Sequence, residues 1–331
     1  MIIPVKTNTG EYNIYLESGI LAKVGALINL NRKVLIVTDS GVPERYSKTV
    51  ASQCTEAFVM TIKQGEESKN FDNYKSLLSV MVKNGFTRTD CVVAVGGGVV
   101  GDLAGFVASS FMRGVDFYNI PTTVLSQVDS SVGGKVAIDF EGFKNIVGAF
   151  YPPKAVIIDP DTLKTLEERQ ISNGLAEAVK MALTGDKELF DHFEKGDYNI
   201  EYVIEKSLKF KKSIVEEDEK EAGLRKILNF GHTLAHAIET NSDFKDIYHG
   251  EAVALGMIPM CSDEVKPRLL AVLKNLNLPT ELNFNKKQLI DAVYHDKKAD
   301  GIDITVVFVP EVGKWEMRKI SISQFERGLK I

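Results

Sequence analysis

The chain is poor in cysteine and has no excess of positive charge. Three cysteines, Cys54, Cys91 and Cys261, are scattered along 331 residues, and an odd, widely spaced set does not suit a disulfide framework. Lysine and arginine number 40 against 45 acidic residues, which gives a net charge of -5. A mildly acidic chain is a poor match for a nucleic-acid surface, although it leaves room for a small basic pocket. We therefore expect a protein of the reducing cytoplasm that binds no nucleic acid.

Long apolar runs are also missing from the sequence. None approaches the roughly 18 residues that a membrane-spanning helix needs. The first residues lack the charged start, apolar run and small-residue cleavage site of a signal peptide. We therefore expect no membrane association. A hydrophobic content of 44% in 331 residues is enough for the cores of two domains.

The first half of the sequence alternates apolar runs with amphipathic stretches. Buried strands are predicted at residues 33–39, 91–95, 117–121 and 155–160, and helices at residues 73–84 and from about residue 102. Such alternation is typical of a mostly parallel sheet covered on both faces. Helical periodicity then dominates residues 161–275, before a predicted hairpin at residues 304–317. We expect an α/β, nucleotide-binding N-terminal domain (residues 1–160) and a mainly α-helical, metal- and substrate-binding C-terminal domain (residues 161–331).

Residues 96–102 form a glycine-rich turn between a predicted strand and a predicted helix. Gly96, Gly98 and Gly101 satisfy G-x-G-x-x-G, and glycines there let N–H groups at a helix N-terminus approach a phosphate. A tight turn without a ligand gives the same pattern, but the strand-turn-helix context favours a nucleotide phosphate. Asp39, at the end of an earlier predicted strand, could hold a ribose hydroxyl or simply cap a turn.

A second polar, glycine-rich segment follows at residues 121–135 and is predicted to be a loop, with Lys144 and Asn145 shortly after it. Side chains of these types suit a phosphate or a carboxylate. Each residue taken alone also fits a solvated loop. The sequence therefore allows either an anion-binding site or a solvated loop in this segment.

Three of the five histidines fall between residues 232 and 249. His232 and His236 are four residues apart, so a helix places both imidazoles on one face. Steps of four and three extend this polar stripe over Arg225, Asn229, His232, His236 and Glu239. Burying such groups is costly unless they meet a metal, an anion or each other, so we predict a site here. Thr233 stands where an H-E-x-x-H metalloprotease has its catalytic glutamate, which excludes that class.

Glu177 and Lys180 lie three residues apart in a predicted helix with apolar neighbours. One interpretation is a surface ion pair. Alternatively, Glu177 and two of the three clustered histidines form a divalent-metal site with room for substrate oxygens. His192 lies in a charged stretch and is predicted to be a solvated surface residue without a role.

Taken together and in order, these motifs resemble the 3-dehydroquinate synthases of the sugar-phosphate cyclase family. The matching segments span nearly the whole chain: residues 65–69, 96–102, 111–114, 129–135, 144–151, 176–180, 228–239, 249–256 and 296–298. The resemblance implies a shikimate-pathway enzyme of aromatic amino acid biosynthesis. Its substrate would be a small sugar phosphate, 3-deoxy-D-arabino-heptulosonate 7-phosphate, and its products 3-dehydroquinate and phosphate. It implies a phosphate-eliminating carbon–oxygen lyase that uses NAD transiently and one divalent metal, zinc or cobalt.

The resemblance also implies roles for individual residues. It gives Glu177, His232 and His249 as metal ligands. Around the phosphate it places Lys135, Asn145, Asn229, His236 and a lysine of the pair Lys297 and Lys298. Arg225 matches a carboxylate-binding arginine, and Asp129, Lys180 and Lys211 match positions around the reacting hydroxyls. Arg113 matches an arginine that is donated across the interface of a homodimer. The NAD-contacting positions are Asp39, Glu66, Lys69, Gly97, Gly98, Val99, Asp102, Thr122, Thr123, Lys144 and Thr162.

Some features depart from the family pattern, and other functions compete with the synthase. Two helical regions look short, Ala235 replaces a usual glycine, and residues 137–143 are unusual, so we expect an altered surface or interface. A sister cyclase acting on a sugar phosphate without a carboxylate would not need the anion-binding pattern of Arg225, Asn229 and His236. A metal-dependent polyol dehydrogenase would accumulate NADH. A catalytically inactive binding protein would not need all of the titratable residues that match the family's active site.

Overall fold

The computed structural model describes residues 1–241, 247–281, 286–296 and 303–329. The chain divides into two units, Met1–Leu166 and Glu167–Ile331. The first unit ends a few residues beyond the predicted domain boundary, which lies after residue 160.

The first unit is built around a mostly parallel sheet. Its strands are β1 (Ile2–Thr7), β2 (Gly10–Leu16), β3 (Lys33–Asp39), β4 (Glu56–Ile62), β5 (Cys91–Gly96), β6 (Asp116–Pro121), β7 (Lys135–Phe140), β8 (Phe143–Phe150) and β9 (Ala155–Ile158). Seven of them form one sheet in the order β1-β2-β9-β6-β5-β3-β4. β1 pairs antiparallel with β2, and the other neighbouring strands pair in parallel. The predicted α/β fold is therefore confirmed.

Both faces of the central strands are buried, and for this reason they read as continuous apolar runs. The helices of this unit are α1 (Glu44–Ala51), α2 (Phe71–Lys83) and α3 (Gly98–Ser110). In β3, Leu35 and Val37 belong to one buried cluster, whereas Val34 and Ile36 belong to another. This alternation follows from the two-residue period of a strand.

β7 and β8 form a separate antiparallel ribbon. The sequence predicts loop character around Lys144 and Asn145, but the structure places both residues in β8. This segment forms a ribbon because apolar residues of its first strand pack on the core. Val136 and Ile138 alternate along β7 and join the buried cluster that contains the apolar residues of α3. This burial stabilises the ribbon.

The second unit is mainly helical, as predicted. Its helices are α4 (Glu168–Gly185), α5 (Lys187–Lys195), α6 (Ile200–Glu217), α7 (His232–Asn241), α8 (His249–Met257), α9 (Val265–Asn275), α10 (Lys286–Asp296) and α11 (Ile322–Gly328). β10 (Asp303–Glu311) and β11 (Lys314–Ser321) pair antiparallel, which confirms the predicted hairpin. α4 is buried at every residue from Ser172 to Thr184. In the described ranges, no helix has both the length and the apolar character to cross a membrane.

The polar stripe from Arg225 to Glu239 does not lie on one continuous helix. Arg225 and Asn229 belong to the 3-10 helix Leu224–Asn229, and α7 begins only at His232. Between them Gly231 has φ +79, a left-handed conformation that interrupts helical geometry. His232, His236 and Glu239 do share α7, so the predicted juxtaposition of the two imidazoles is confirmed, with ring centroids 5.6 Å apart.

Candidate active site

Glu177 and Lys180 are buried in α4 and do not form the surface ion pair that their spacing allows. Glu177 is 0% exposed and Lys180 is 1% exposed, and the ammonium contacts Glu177 Oε2. Burial raises the pKa of Glu177, but the Lys180 ammonium and the His249 imidazole outweigh it and lower that pKa to about 2. The carboxylate is therefore ionised at neutral pH, as a metal ligand must be.

Two histidines face the Glu177 carboxylate. His249 Nε2 lies 3.3 Å and His232 Nε2 lies 3.6 Å from Glu177 Oε1. One potential ligand atom from each of the three residues lies within 4.8 Å of the others. The residue spacing left open which two of three histidines accompany Glu177. This geometry selects His232 and His249, the pair that the family resemblance implies. His236 lies beside His232, outside the group.

The second nitrogen of each imidazole lies near an acceptor. His232 Nδ1 is 3.2 Å from the Phe230 carbonyl oxygen, and His249 Nδ1 is 3.4 Å from Glu239 Oε1. Burial, together with Lys180, lowers the pKa of His232 well below its usual value. Burial also lowers the pKa of His249, but the carboxylates of Glu177 and Glu239 outweigh it and raise that pKa to about 10. His249 therefore lies between two carboxylates.

The residues present fit a zinc-type metal. One carboxylate oxygen and two imidazole nitrogens form the donor set, and these are the ligand types that zinc and cobalt accept. Three protein ligands leave a coordination position for a substrate oxygen, which is typical of catalytic rather than structural sites. Lys180 compensates part of the Glu177 charge at Oε2, and Oε1, which faces the two imidazoles, is the oxygen that would hold the metal.

Close helix packing positions His249, the first residue of α8. A Cβ atom added to Gly250 would lie only 1.9 Å from the Asn173 carbonyl oxygen of α4. Gly250 N–H also donates to Asn173 Oδ1 at 2.6 Å. Next along α8, Glu251 accepts from Arg169 at 2.7 Å and from the Tyr248 N–H at 2.8 Å. α8 is thereby held against the helix that carries Glu177.

Buried cations occupy the same unit as the candidate metal ligands. Lys180, Lys211 and Arg225 are 1%, 6% and 3% exposed. Arg225 donates to the carbonyl oxygen of Glu219. Lys180 pairs with Glu177, and the three buried cations come from two helices and a 3-10 turn of one unit. Cationic side chains of this kind suit an anionic substrate.

Two acidic residues in the loop before Arg225 belong to this region, and sequence reasoning missed them. The Asp218 carboxylate accepts from the backbone N–H groups of Ala222, Gly223 and Arg225 at 2.8, 2.7 and 2.9 Å. Glu221 Oε1 accepts from Asn229 Nδ2 at 2.5 Å. Together they fix the backbone of Arg225 and the side chain of Asn229. The loop has no periodicity, and Asp218 ahead of Gly223 is only a weak turn signal.

In the first unit, three predicted NAD-contacting residues meet. Lys69 Nζ lies 2.9 Å from Glu66 Oε1 and 3.0 Å from Asp102 Oδ2. Burial lowers the pKa of Lys69, but the carboxylates of Asp102 and Glu66 raise it further, so the ammonium stays charged. Burial raises the pKa of Asp102 to about 6, against the effect of Lys69.

The glycine turn joins β5 directly to α3, which begins at Gly98 rather than near residue 102 as predicted. A Cβ atom on Gly97 would lie 3.2 Å from Thr123 Cγ2, and one on Gly98 would lie 3.2 Å from Ser130 Oγ. The Thr122 N–H donates to the Gly96 carbonyl at 3.0 Å. The predicted NAD contacts Gly97, Gly98, Thr122 and Thr123 therefore lie together at a helix N-terminus, a setting that suits phosphate. Val99 lies in the first turn of α3.

Gln127, which sequence reasoning did not single out, ties this region to Thr162. Its amide nitrogen lies 3.0 Å from the Pro121 carbonyl, 3.1 Å from the Asp159 carbonyl and 3.1 Å from Thr162 Oγ1. Gln127 and Asp129 belong to the π-helix Ser126–Ser130, and π-helical turns are frequent at functional sites. Asp39, at the end of β3, accepts from the Gly41 N–H at 2.7 Å, so it does cap a turn.

The remaining predicted residues are dispersed. Lys135 opens β7 and pairs with Phe150, whereas Asn145 lies toward the other end of the ribbon, next to Lys144. Arg113 is exposed in a 3-10 turn and has φ +68. Lys297 and Lys298 lie outside the described residues. His192 contacts Asp197 at 2.8 Å, away from the metal-ligand group.

Family models match residues 59–299 of this chain, and known proteins match up to its whole length. A model described as "3-dehydroquinate synthase N-terminal" matches residues 59–173, and one described as "3-dehydroquinate synthase C-terminal" matches residues 174–299. A 3-dehydroquinate synthase of Streptococcus suis (strain 05ZYH33) is 39% identical over 355 aligned residues, covering 100% of both chains. One of Desulforamulus reducens is 43% identical over 322 residues, covering 89% of this chain and 90% of its own.

Solved structures that share the fold of this chain include two cyclases and a dehydrogenase. A 2-deoxy-scyllo-inosose synthase complexed with carbaglucose-6-phosphate, NAD+ and Co2+ has a TM-score of 0.88 at 25% identity, covering 99% of both chains. The 2-epi-5-epi-valiolone synthase of Streptomyces hygroscopicus, with NAD+ and Zn2+ bound, has a TM-score of 0.87 at 25% identity, covering 96% of this chain and 95% of its own. A probable glycerol dehydrogenase of Sinorhizobium meliloti shares the fold, with a TM-score of 0.66 at 15% identity, covering 95% of this chain and 94% of its own. The resemblance read from the sequence motifs is confirmed, and the chain belongs to the 3-dehydroquinate synthase family.

Proposed function

We propose that this chain converts 3-deoxy-D-arabino-heptulosonate 7-phosphate into 3-dehydroquinate and phosphate, as a phosphate-eliminating carbon–oxygen lyase. The observation that carries the proposal is the group of buried Glu177 and half-buried His232 and His249, set in one unit with the buried cations Lys180, Lys211 and Arg225. A metal-ligand group alone would suit many enzymes. Buried cations in the same unit favour a substrate with more than one anionic group.

Glu177, His232 and His249 are the proposed ligands of one divalent metal, zinc or cobalt. The two cyclases of known structure described above hold such a metal together with NAD+. When bound, the metal supplies a Lewis acid that acidifies substrate hydroxyls. Lys180 contacts Glu177 and is proposed to orient the reacting hydroxyls with Asp129 and Lys211. The ammonium of Lys180, buried and held beside a carboxylate, is a fixed charge that needs little reorganisation during the reaction.

NAD is the proposed second cofactor, bound by the first unit. Its role would be to accept a hydride and return it, so that the overall reaction has no net redox change. The proposed contacts are Asp39, Glu66, Lys69, Gly97, Gly98, Val99, Asp102, Thr122, Thr123, Lys144 and Thr162. The glycine turn presents backbone N–H groups at the start of α3, which suits the phosphates. The cluster of Lys69, Glu66 and Asp102 offers carboxylate acceptors at fixed positions.

The anionic groups of the substrate are assigned to separate cations. Arg225 is proposed to bind the carboxylate, since a guanidinium suits bidentate recognition of that group. The proposed phosphate contacts are Lys135, Asn145, Asn229, His236 and a lysine of the pair Lys297 and Lys298. These residues would stabilise the leaving phosphate, whose oxygen can take the proton from the neighbouring carbon. The later ring closure requires mainly that the pocket hold one conformer of the open chain.

We also propose a homodimer in which Arg113 of one copy contributes to the site of the other. Support comes from an exposed apolar surface on the β7–β8 ribbon, comprising Phe140, Phe143, Ile146 and Phe150, with Phe143 67% and Ile146 62% exposed. Exposed apolar patches of this kind mark interaction sites. Phe140 and Phe143 fall in the segment that departs from the family pattern. A cytoplasmic location is proposed because all three cysteines are free thiols.

Substrate choice tests this function against the sister cyclases. The chain would be incubated with NAD and zinc, in parallel with the heptulosonate 7-phosphate and with glucose 6-phosphate, a hexose phosphate without a carboxylate. We expect 3-dehydroquinate from the first substrate and no cyclised product from the second. A cyclitol formed from glucose 6-phosphate, with no reaction of the acid, would contradict the proposal.

A further inference from the structure

Glu239 lies on the far side of the His249 ring from the candidate metal-ligand group. His249 Nε2 is 3.3 Å from Glu177 Oε1, while His249 Nδ1 is 3.4 Å from Glu239 Oε1. The imidazole therefore bridges two carboxylates. Glu239 is 5% exposed, and the group of three potential ligands does not include it.

We propose that Glu239 is a positioning residue for His249 and so sets the affinity of the site for its metal, an inference that rests on the metal site of the proposed function. By accepting the Nδ1–H, its carboxylate would hold the tautomer in which Nε2 carries the lone pair. It also fixes the rotation of the ring. Metal-ligating histidines almost always have such a partner, and its loss typically costs about 10- to 100-fold in metal affinity.

The two histidines differ in how much they depend on such a partner. His232 Nδ1 lies 3.2 Å from a backbone carbonyl, that of Phe230, and its side chain is 12% exposed. His249 is the first residue of α8, and its side chain is 32% exposed. Fewer packing contacts therefore restrict the His249 ring, so a side-chain carboxylate has more influence on its orientation.

The chain offers a matched control for this interaction. His192 Nδ1 lies 2.8 Å from Asp197 Oδ1, which is the same pair of groups in the same unit but away from the metal-ligand group. Neutralising Asp197 removes a histidine–carboxylate contact without touching the site. If Asp197→Asn lowers zinc affinity as much as replacement of Glu239 does, the loss reflects a general effect on the fold.

The test measures zinc affinity by competition with a chromophoric chelator, on metal-free full-length protein, for Glu239→Gln, Glu239→Ala and Asp197→Asn. We expect Glu239→Ala to weaken zinc binding about 10- to 100-fold and Asp197→Asn to leave it unchanged. Glu239→Gln should fall between wild type and Glu239→Ala, because its amide oxygen can still accept the Nδ1–H. The Co2+ absorption spectrum of Glu239→Gln should also change, since a reoriented imidazole alters the ligand geometry.

Two results would overturn the assignment of Glu239. One is wild-type zinc affinity in both Glu239 variants. The other is weaker binding that only accompanies unfolding of the metal-free protein, measured by thermal denaturation. Glu177→Gln separates this inference from the proposed function. If Glu177→Gln binds zinc as tightly as wild type, the metal site itself is wrong; if it loses zinc while both Glu239 variants keep it, only the role of Glu239 is wrong.

Discussion

Glu177 contacts an ammonium and two imidazoles within a helix segment that excludes water. Its carboxylate is fully buried, with Lys180 on Oε2 and His232 and His249 near Oε1. A buried carboxylate is unfavourable unless its charge is compensated, and Lys180 provides part of that compensation. A metal bound to the two Nε2 atoms would displace the proton that His249 otherwise holds, while Glu177 keeps its charge. One residue thus links a buried ammonium to the candidate metal-ligand group.

Replacing Glu177 with glutamine should remove zinc from the protein. Glutamine keeps the volume but loses the ionised oxygen that a zinc ligand requires. Metal content after dialysis would be measured by atomic absorption. Arg225→Ala is the matched variant, because Arg225 is also buried but is proposed to bind the substrate carboxylate. It should keep stoichiometric metal and lose turnover by roughly 10²-fold or more. Tight zinc in Glu177→Gln would remove Glu177 from the ligand set.

The cysteines should be almost inert in the folded protein. Burial raises the pKa of Cys91 and of Cys261 to about 12, and that of Cys54 to about 11. The thiolate is the reactive form, so a raised pKa means slower reaction at neutral pH and a rise in rate only toward pH 11. Titration with a disulfide reagent at pH 7.5 should be slow for native protein and fast for all three thiols in denaturant. Rapid stoichiometric labelling of the native protein would contradict the burial of these groups.

Among the helices and strands, those with a regular apolar pattern were predicted well, and those whose pattern is interrupted were predicted poorly. β3 and β5 were readable because strands buried on both faces are continuous apolar runs. The β7–β8 ribbon was missed because Lys144 and Asn145 interrupt the apolar pattern of β8, while only Val136 and Ile138 signal a buried face of β7. The stripe from Arg225 to Glu239 has helical spacing, but spacing alone does not reveal the left-handed Gly231 that divides it.

The composition of the metal site was predictable only in part from local periodicity, whereas the family resemblance implied all three ligands. Helical spacing pairs His232 with His236, because local periodicity reports neighbours on one helix. The structure instead pairs His232 with His249, which comes from the next helix and is placed by tertiary packing. Asp218 and Glu221 lie in a loop whose backbone hydrogen bonds no periodicity encodes.

Gly250→Ala should disrupt the metal site without changing any ligand. An added methyl group would meet the Asn173 carbonyl of α4 at 1.9 Å, so α8 must move away and carry His249 with it. Overpacking of this kind costs typically about 1–3 kcal/mol of folding stability. We expect that loss in chemical denaturation, together with weaker zinc binding. Gly328→Ala is the control, because a Cβ atom there meets nothing within 4 Å. Unchanged zinc affinity in Gly250→Ala would show that packing at Gly250 does not position His249.

At the scale of the whole molecule, the two units carry different chemistry. The first holds the glycine turn and the cluster of Lys69, Glu66 and Asp102. The second holds the metal-ligand group and the buried cations Lys180, Lys211 and Arg225. The proposed reaction combines hydride transfer with elimination of an anion and would use both sets. It would account for the burial of these cations in a mildly acidic chain.

The apolar surface of the β7–β8 ribbon should be needed for the homodimer. Phe143→Asp is expected to shift the protein from dimer to monomer in sedimentation velocity at micromolar concentration, because a carboxylate cannot be buried there without a partner. Activity should fall as the dimer is lost, since Arg113 is proposed to act across the interface. Val82→Asp is the matched control, at a 69% exposed apolar residue of α2. A Phe143→Asp variant that stays dimeric would place the interface elsewhere.

Catalytic use of NAD during elimination of phosphate can be measured by following phosphate release and NADH absorbance in the same cuvette, with 3-deoxy-D-arabino-heptulosonate 7-phosphate, NAD and zinc. We expect steady phosphate release that requires both NAD and metal, without accumulation of NADH. NADH that accumulates in step with turnover would instead indicate a dehydrogenase and rule out catalytic use of NAD.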